Sequence, residues 1–318
     1  MSSAPATAAP LVEVEHLRRD FGAFRAVDDV TLSVDRGEIF GFLGPNGAGK
    51  TTTIRMLCGL LRPSAGRGTV AGHDLLTGTE RIKRNVGYMS QSFSLYAELT
   101  VDQNIEFFAA LNGVPRAERA ARRDWVLAMS GLAGHRDQRT SDLPLGWKQR
   151  LALGTAVLHR PLMLLLDEPT SGVDPISRRT FWDLIQDLAA AGTTVLVSTH
   201  YMQEAEYCGR LALMNRGRLI ALGRPAELRR GLREPVVEVR VTNGPEVVAA
   251  LRGAPGVRSA GLFGRAVHLT LSGEDALPGI QERLAARGVP RGSLRRIEPT
   301  LEHVFLSAVQ ASGGVVDG

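Results

Sequence analysis

The chain has 318 residues, 44% of them hydrophobic and 22% charged, with a net charge of +5 and a sequence pI near 9.7. That length suits one large domain and a smaller one, and that balance suits a globular protein with a solvated surface. No stretch approaches the roughly 18 uninterrupted apolar residues that a membrane span needs, and Cys58 and Cys208, the only cysteines, form neither a metal-spacing motif nor a disulfide framework, which fits a reducing compartment.

Residues 1–10, MSSAPATAAP, lack a basic start and an apolar h-region, so they read as a frayed tail and not as a secretory signal. Leu11 to Glu15 and Val30 to Asp35 have the look of short strands, separated by the turn-rich segment FGAFRAVDD. Ile39 to Leu43 is an apolar run feeding straight into Gly44–Thr51, GPNGAGKT, and Thr52 to Leu60 follows with helical periodicity. The GPNGAGKT stretch fits G-x-x-x-x-G-K-S/T, a loop whose backbone N–H groups close around phosphate oxygens. In it Gly44, Pro45, Asn46, Gly47, Ala48 and Gly49 form the cradle, Lys50 reaches the β- and γ-phosphates, and Thr51 offers its hydroxyl to Mg²⁺ with Thr52 beside it. A helix starting at Lys50 adds its dipole to the anion site.

Further along, a lone glutamine, Gln91, follows VGYMS. Residues from about Thr100 to Leu158 read as helices broken near Gly113, Gly131 and Pro144. The most basic run, Arg116 to Asp124, carries acidic residues too; it reads as a polar helix face, and no nucleic-acid partner is expected. Leu162 to Leu166 and Thr193 to Ser198 are apolar runs of strand length, the pattern of a parallel sheet buried on both faces. Asp167 and Glu168 end the first: Asp167 suits Mg²⁺, and Glu168 suits the polarisation of a water attacking in line. His200 ends the second, where an imidazole can touch a γ-phosphate. Met214 to Leu222 suggests a closing hairpin.

A change follows near Gly231 to Pro235. Strands at Val236–Val241, Val257–Leu262, Ala266–Leu271 and Ser293–Ile297 alternate with helices at Glu246–Arg252 and Glu274–Arg287 in a β-α-β-β-α-β order, the ferredoxin-like plan. Pro299-Thr300 opens a last helix with Leu301, Val304, Phe305 and Ala308 on one face. His268 and His303 read as lone structural or exposed histidines.

These ordered motifs, GPNGAGKT, Gln91, LLLDEPTSGVD and STH, resemble the nucleotide-binding subunit of an ATP-binding cassette (ABC) transporter from about Leu11 to Pro225. The resemblance implies an α/β P-loop NTPase cassette, with a parallel-sheet core, N-terminal antiparallel strands and a helical subdomain near residues 92–160. The cassette would span residues 11–230 and a ferredoxin-like α+β accessory domain residues 235–318. It further implies ATP and Mg²⁺ as ligands, catalysis through Glu168, His200 and Gln91, metal contacts from Thr51, Gln91 and Asp167, and a D-loop of Ser171, Gly172 and Asp174. An aromatic stacks on adenine in this family, and Phe21 stands at that place with Phe24 as a neighbouring candidate.

The family's LSGGQ signature, which meets the ATP of a second cassette, is written irregularly here as Leu143, Pro144, Leu145, Gly146 and Trp147. Pro144 brings neither the serine hydroxyl nor an N–H. Either the Gly146 and Trp147 N–H groups of a helix start face the phosphate, or the composite site is degenerate and takes a different cassette as partner. LPLGWKQR, DEPTSGVDP and PTLEHVFLSAV are similar to type-2 ABC exporter subunits of the multidrug and antibiotic kind. The expected setting is therefore cytoplasmic, on the inner face of the cell membrane, against an integral-membrane permease and a second cassette in a homodimer; the alternative is a soluble ABC ATPase acting on ribosomes or DNA. Ser92 to Leu99, with Phe93, Leu95 and Tyr96, offers itself as the permease groove or as packing of the helical subdomain.

Overall fold

The computed structural model describes residues 9–92 and 94–312, so most of the tail expected at residues 1–10, and the docking candidate Phe93, fall outside the described residues. The chain divides into two compact units, residues 1–219 and 220–318. In the first, β1 (Val12–Phe21) and β2 (Phe24–Val34) form an antiparallel hairpin, followed by β3 (Ile39–Leu43), α1 (Lys50–Leu57), β4 (Ala65–Val70), β5 (His73–Asp74), α2 (Thr79–Asn85) and β6 (Val86–Met89). The helices α3 (Val101–Leu111), α4 (Arg116–Ser130) and α5 (Leu145–Ala156) come next, then β7 (Met163–Asp167), α6 (Pro175–Ala190), β8 (Thr194–Thr199), α7 (Met202–Ala205), β9 (Arg210–Asn215) and β10 (Arg218–Gly223).

The N-terminal strands are twice as long as their apolar runs suggested. Ladder pairs continue through Arg19↔Val27 and Asp20↔Arg25 to Phe21↔Phe24, and the turn is confined to the two residues between, where Gly22 takes a φ of 59°. What read as turn chemistry is charge on the exposed face of the hairpin, where Arg25 bonds Asp20 at 3.1 Å and Asp28 at 3.0 Å.

A sheet in the order β10-β9-β3-β8-β7-β6 forms the centre, with β3, β6, β7, β8 and β9 running parallel. Every residue of β7 and of β8 is buried, which explains their unbroken apolar runs. The turn from β9 to β10 places both Arg216 (φ 48°) and Gly217 (φ 79°) in the left-handed region, as a tight hairpin requires. Both thiols are buried; burial pushes Cys58 and Cys208 well up from the ordinary range, so they are core groups and poor nucleophiles.

The helices α3, α4 and α5 enclose a small core of their own around Val101, Ile105, Val126, Leu127 and Leu151. Thr100 starts α3 with a capping box, accepting from Gln103 N at 3.2 Å while the Gln103 side chain accepts from Thr100 N at 2.9 Å. Gly131, at φ 70°, ends α4.

The second unit contains α8 (Pro225–Gly231), β11 (Val236–Arg240), α9 (Gly244–Leu251), β12 (Val257–Phe263), β13 (Ala266–Leu271), α10 (Leu277–Ala285), β14 (Leu294–Ile297) and α11 (Leu301–Ala311). Its antiparallel sheet has the order β12-β13-β11-β14, the ferredoxin-like arrangement. The division falls within β10, after Leu219, so the last residues of that strand belong with the second unit, where α8 packs on α11.

His268 and His303 are not lone residues. Thr300 N donates to His303 Nδ1 at 2.9 Å, which leaves the His303 Nε2 proton to bond His268 Nδ1 at 3.1 Å. His268 Nε2 then faces Glu238 Oε2 at 3.5 Å, and Phe263 stacks on both rings at 4.2 and 4.9 Å. Burial, with the neighbouring His268, pushes His303 down to about 4. The unfolded chain therefore takes up this proton first, so stability is full above about pH 6.5 and is lost as the pH falls toward 4. Thermal melting of the full chain should show the second unit's transition falling across that window, and His303→Gln should flatten the dependence.

Candidate functional site

Four loops meet at the carboxyl edge of the parallel sheet, because the strands that carry them run the same way and end level: Leu43 pairs with Thr199, and Asp167 with Ser198. Ligands of open α/β sheets sit at this edge. The loop after β3 needs its glycines for contact reasons as well as phosphate chemistry. A Cβ at Gly44 would lie 2.3 Å from Met214 O, and Gly49 holds a φ of 102° with Ala26 O only 2.7 Å from where a Cβ would stand. Gly49 is also the N-cap of α1, which has no side-chain cap and no acidic residue in its first turn, leaving its N–H groups for an anion.

Lys50 is buried and its ammonium is fully engaged. It donates to Gly44 O at 2.8 Å and Pro45 O at 3.0 Å and pairs with Glu168 Oε1 at 3.1 Å. The other Glu168 oxygen, Oε2, meets His200 Nδ1 at 3.1 Å and Gln91 Nε2 at 3.4 Å. Glu168 adopts a left-handed backbone with φ 48°, a conformation costing a side-chain-bearing residue roughly 1–3 kcal/mol and one that collects at functional sites. The Thr51 hydroxyl donates to Asp167 Oδ1 at 2.9 Å, and Ser198 Oγ donates to the same oxygen at 2.7 Å. Ser198 Oγ in turn accepts from Glu168 N at 3.0 Å, so one hydroxyl sets both acidic residues.

A cavity of about 300 Å³ lies over this constellation, lined by Asn46 to Thr52, Gln91, Glu168, Ala26 and Phe24. The structure thus brings together Gly44, Pro45, the rest of the loop, Gln91, Asp167, Glu168 and His200. Phe21 is a correction in part: Phe24, not Phe21, lies in the cavity wall. Phe21 is its ladder partner at the hairpin tip, with the Arg19 guanidinium 4.5 Å over its ring.

The signature segment and D-loop do not reach this cavity; they adjoin one another. Pro144 is the N-cap of α5, with Leu143 buried behind it. Trp147 N donates to Pro144 O at 3.0 Å, so the expectation that its N–H faces a phosphate is wrong: the helix's own first turn takes that donor. Leu145 and Gly146, the first two residues of α5, are the ones whose N–H groups no helical carbonyl can reach. The Trp147 ring packs on His135 at 4.2 Å. A Cβ on Gly172, whose φ is 75°, would stand 3.6 Å from Leu145 Cδ2; Ser171 precedes it, and Asp174 caps α6 by accepting from Ile176 N at 3.1 Å and Ser177 N at 2.9 Å. These bonds, that from Ser177 N foremost, hold the Asp174 carboxyl below its usual range.

Sequence reasoning missed Ser198 as a bridge, although a serine ending an otherwise apolar strand was a visible signal. It also missed Glu204, a carboxylate buried beyond His200, for which α7 offers no pattern to read.

Fold and site together define a P-loop ATP-binding domain. The family described as ABC transporter matches residues 27–171, and that described as the C-terminal domain of DrrA1-3-like ATP-binding proteins matches residues 223–309. The chain is 49% identical over 222 residues to the probable multidrug ABC transporter ATP-binding protein YbhF of Escherichia coli, covering 69% of this chain but only 38% of that relative. It is 31% identical to the linearmycin resistance ATP-binding protein LnrL of Bacillus subtilis, over 93% of this chain and 97% of the relative. With the daunorubicin resistance ATP-binding protein DrrA3 of Streptomyces coeruleorubidus it shares 34% identity, over 93% and 94%. A solved ATP-binding subunit of an ABC transporter superposes with a TM-score of 0.63 at 32% identity, over 69% of this chain and 92% of that one. The chain belongs to the ABC transporter family of ATP-binding subunits, whose members hydrolyse ATP, and carries a DrrA-like C-terminal domain.

Gly146 gives a direct test of the signature's geometry. A Cβ there would lie 2.6 Å from both Cβ and Oγ of Ser177 on α6. Overpacking costs about 1–3 kcal/mol, against roughly 1 kcal/mol gained from helix propensity, so Gly146→Ala should lower stability by up to about 2 kcal/mol. Denaturant unfolding checks this, and adding Ser177→Gly should restore the loss.

Proposed function

We propose that this chain is the ATP-hydrolysing motor of an exporter, driving a small drug- or antibiotic-like molecule through a separate membrane permease. The observation that carries the reading is the Glu168 carboxylate, which ends a buried strand beside the phosphate loop with Lys50, Gln91 and His200 all within 3.4 Å. The names of the multidrug, linearmycin and daunorubicin relatives support the export role and the cargo class.

ATP would lay its phosphates in the loop of Gly44 to Thr52 and its base against the aromatic hairpin tip, stacking on Phe24 in the cavity wall with Phe21 beside it. The Thr51 hydroxyl, the Gln91 amide and the Asp167 carboxylate are hard oxygen donors that fit Mg²⁺, and the Thr51–Asp167 bond of 2.9 Å already joins two of them. Mg²⁺ held there supplies charge neutralisation at the β- and γ-phosphates. Lys50 exchanges its Glu168 partner for phosphate oxygens, which frees Oε1 to accept a proton from the attacking water. That water's oxygen bonds the γ-phosphorus as the bond to the ADP oxygen breaks, and His200 steadies the γ-phosphate and the water.

A second cassette, most simply another copy of this chain, would place its Leu143–Trp147 segment on the ATP, offering the Leu145 and Gly146 N–H groups in place of the missing serine. Ser171, Gly172 and Asp174 lie beside that seam. For the permease we assign the apolar cavity of about 520 Å³ lined by Leu95, Ser94, Tyr88, Phe108 and Leu111. Tyr96 rests on Phe107 at 4.7 Å at its edge. Among the described residues no helix is long and apolar enough to cross a membrane, so the permease would hold the chain at the cytoplasmic face.

Glu168→Gln should cut Mg-ATP turnover by about 10²-fold or more while ATP still binds, and an ATP-bound dimer should accumulate in light scattering. Unchanged turnover would remove Glu168 from this role. Leu95→Glu should abolish co-purification with the permease and leave basal hydrolysis intact.

A further inference from the structure

Behind the site lies a carboxylate that the chemistry above does not use. Glu204, on α7, is 1% exposed. Its Oε1 accepts from the Thr170 hydroxyl and faces Arg178 Nε at 3.3 Å, and its Oε2 accepts from the Thr199 hydroxyl at 2.6 Å. Thr170 stands two residues after Glu168, and Thr199 immediately precedes His200. One buried charge therefore holds the two segments that carry the base and the histidine. Thr199 Oγ1 also accepts from Tyr201 N at 2.9 Å, closing the turn that aims His200.

Arg178 extends the same network to a third segment. It donates to Val173 O at 3.1 Å, inside the Ser171–Asp174 loop. Its guanidinium also lies 4.4 Å over the Tyr201 ring, which sits 4.1 Å from the His200 ring. A carboxylate taken this far from water needs partners: the two hydroxyls hydrogen-bond it, while Arg178 Nε, buried and without a hydrogen bond of its own, answers it as an ion pair.

We propose that Glu204 and Arg178 are a positioning pair that makes the Ser171–Asp174 loop and His200 move together, so that displacement of the loop at a second cassette resets the His200–Glu168 hydrogen bond. This rests on the reading of the site as an ATPase. Neither residue touches the phosphate-loop cavity; both act through His200.

The test is steady-state Mg-ATP hydrolysis by the full chain. Glu204→Gln should lower kcat by about tenfold or more with KM within about twofold. Combined with His200→Ala, Glu204→Gln should slow the enzyme no further than His200→Ala alone. Should Glu204→Gln not fold, Thr199→Val removes one donor at nearly constant shape; it should lose turnover, and Thr199→Ser should regain most of it. A kcat within twofold of the parent for Glu204→Gln or, where that variant does not fold, for Thr199→Val, or a double variant whose losses multiply, overturns the proposal. Absence of hydrolysis in the unaltered chain would instead overturn the ATPase reading on which it stands.

Discussion

Strands buried on both faces leave no room for charge until they end, and here that constraint places the chemistry. β3, β7 and β8 run parallel and in register, with Leu43 opposite Thr199 and Asp167 opposite Ser198, so the chain becomes polar at one level across the sheet. The phosphate loop, the Asp167–Glu168 pair and His200 all emerge at that level. Gln91 joins them because β6 extends the same parallel set beside β7. Antiparallel strands would have sent half of these groups to the opposite edge.

Charge inside this edge is held more strictly than charge on the surface. The ion pairs along the β1–β2 hairpin, Arg25 with Asp20 and Asp28 among them, are solvated and contribute little each. Lys50, Glu168, Asp167 and Glu204 are buried, and each is met by hydroxyls, carbonyls or an opposite charge at bonding distance. Removing any one leaves another uncompensated. The strained φ of Glu168 belongs to the same economy, since the surrounding bonds hold it there.

Motifs whose chemistry is written into consecutive residues were legible before folding. GPNGAGKT and the apolar runs ending in Asp167–Glu168 and His200 identify their elements, and the β-α-β-β-α-β order of the second unit follows from period and turn residues. The hairpin β1–β2 was read too short, because alternating charge on an exposed sheet face resembles a loop. One of the two readings of the signature turned the Trp147 N–H toward a phosphate, because a helix start is recognisable without its exact first turn. The Phe21 and Phe24 question is of another kind: both are aromatic, adjacent and at the tip, and only the hairpin's register sets which ring enters the wall.

By itself the sequence determined the class of chemistry, since a phosphate loop, an acidic strand end and a histidine strand end are local patterns with local physical causes. It also determined which strands are buried on both faces, through unbroken apolar runs. Tertiary structure alone decided that His268 and His303 share a proton-bearing chain, that Gly146 is required by Ser177, and that Glu204 joins Thr170, Thr199 and Arg178. Those pairings link residues far apart in the chain or on different elements, and no periodicity encodes a distance between side chains that only packing brings together.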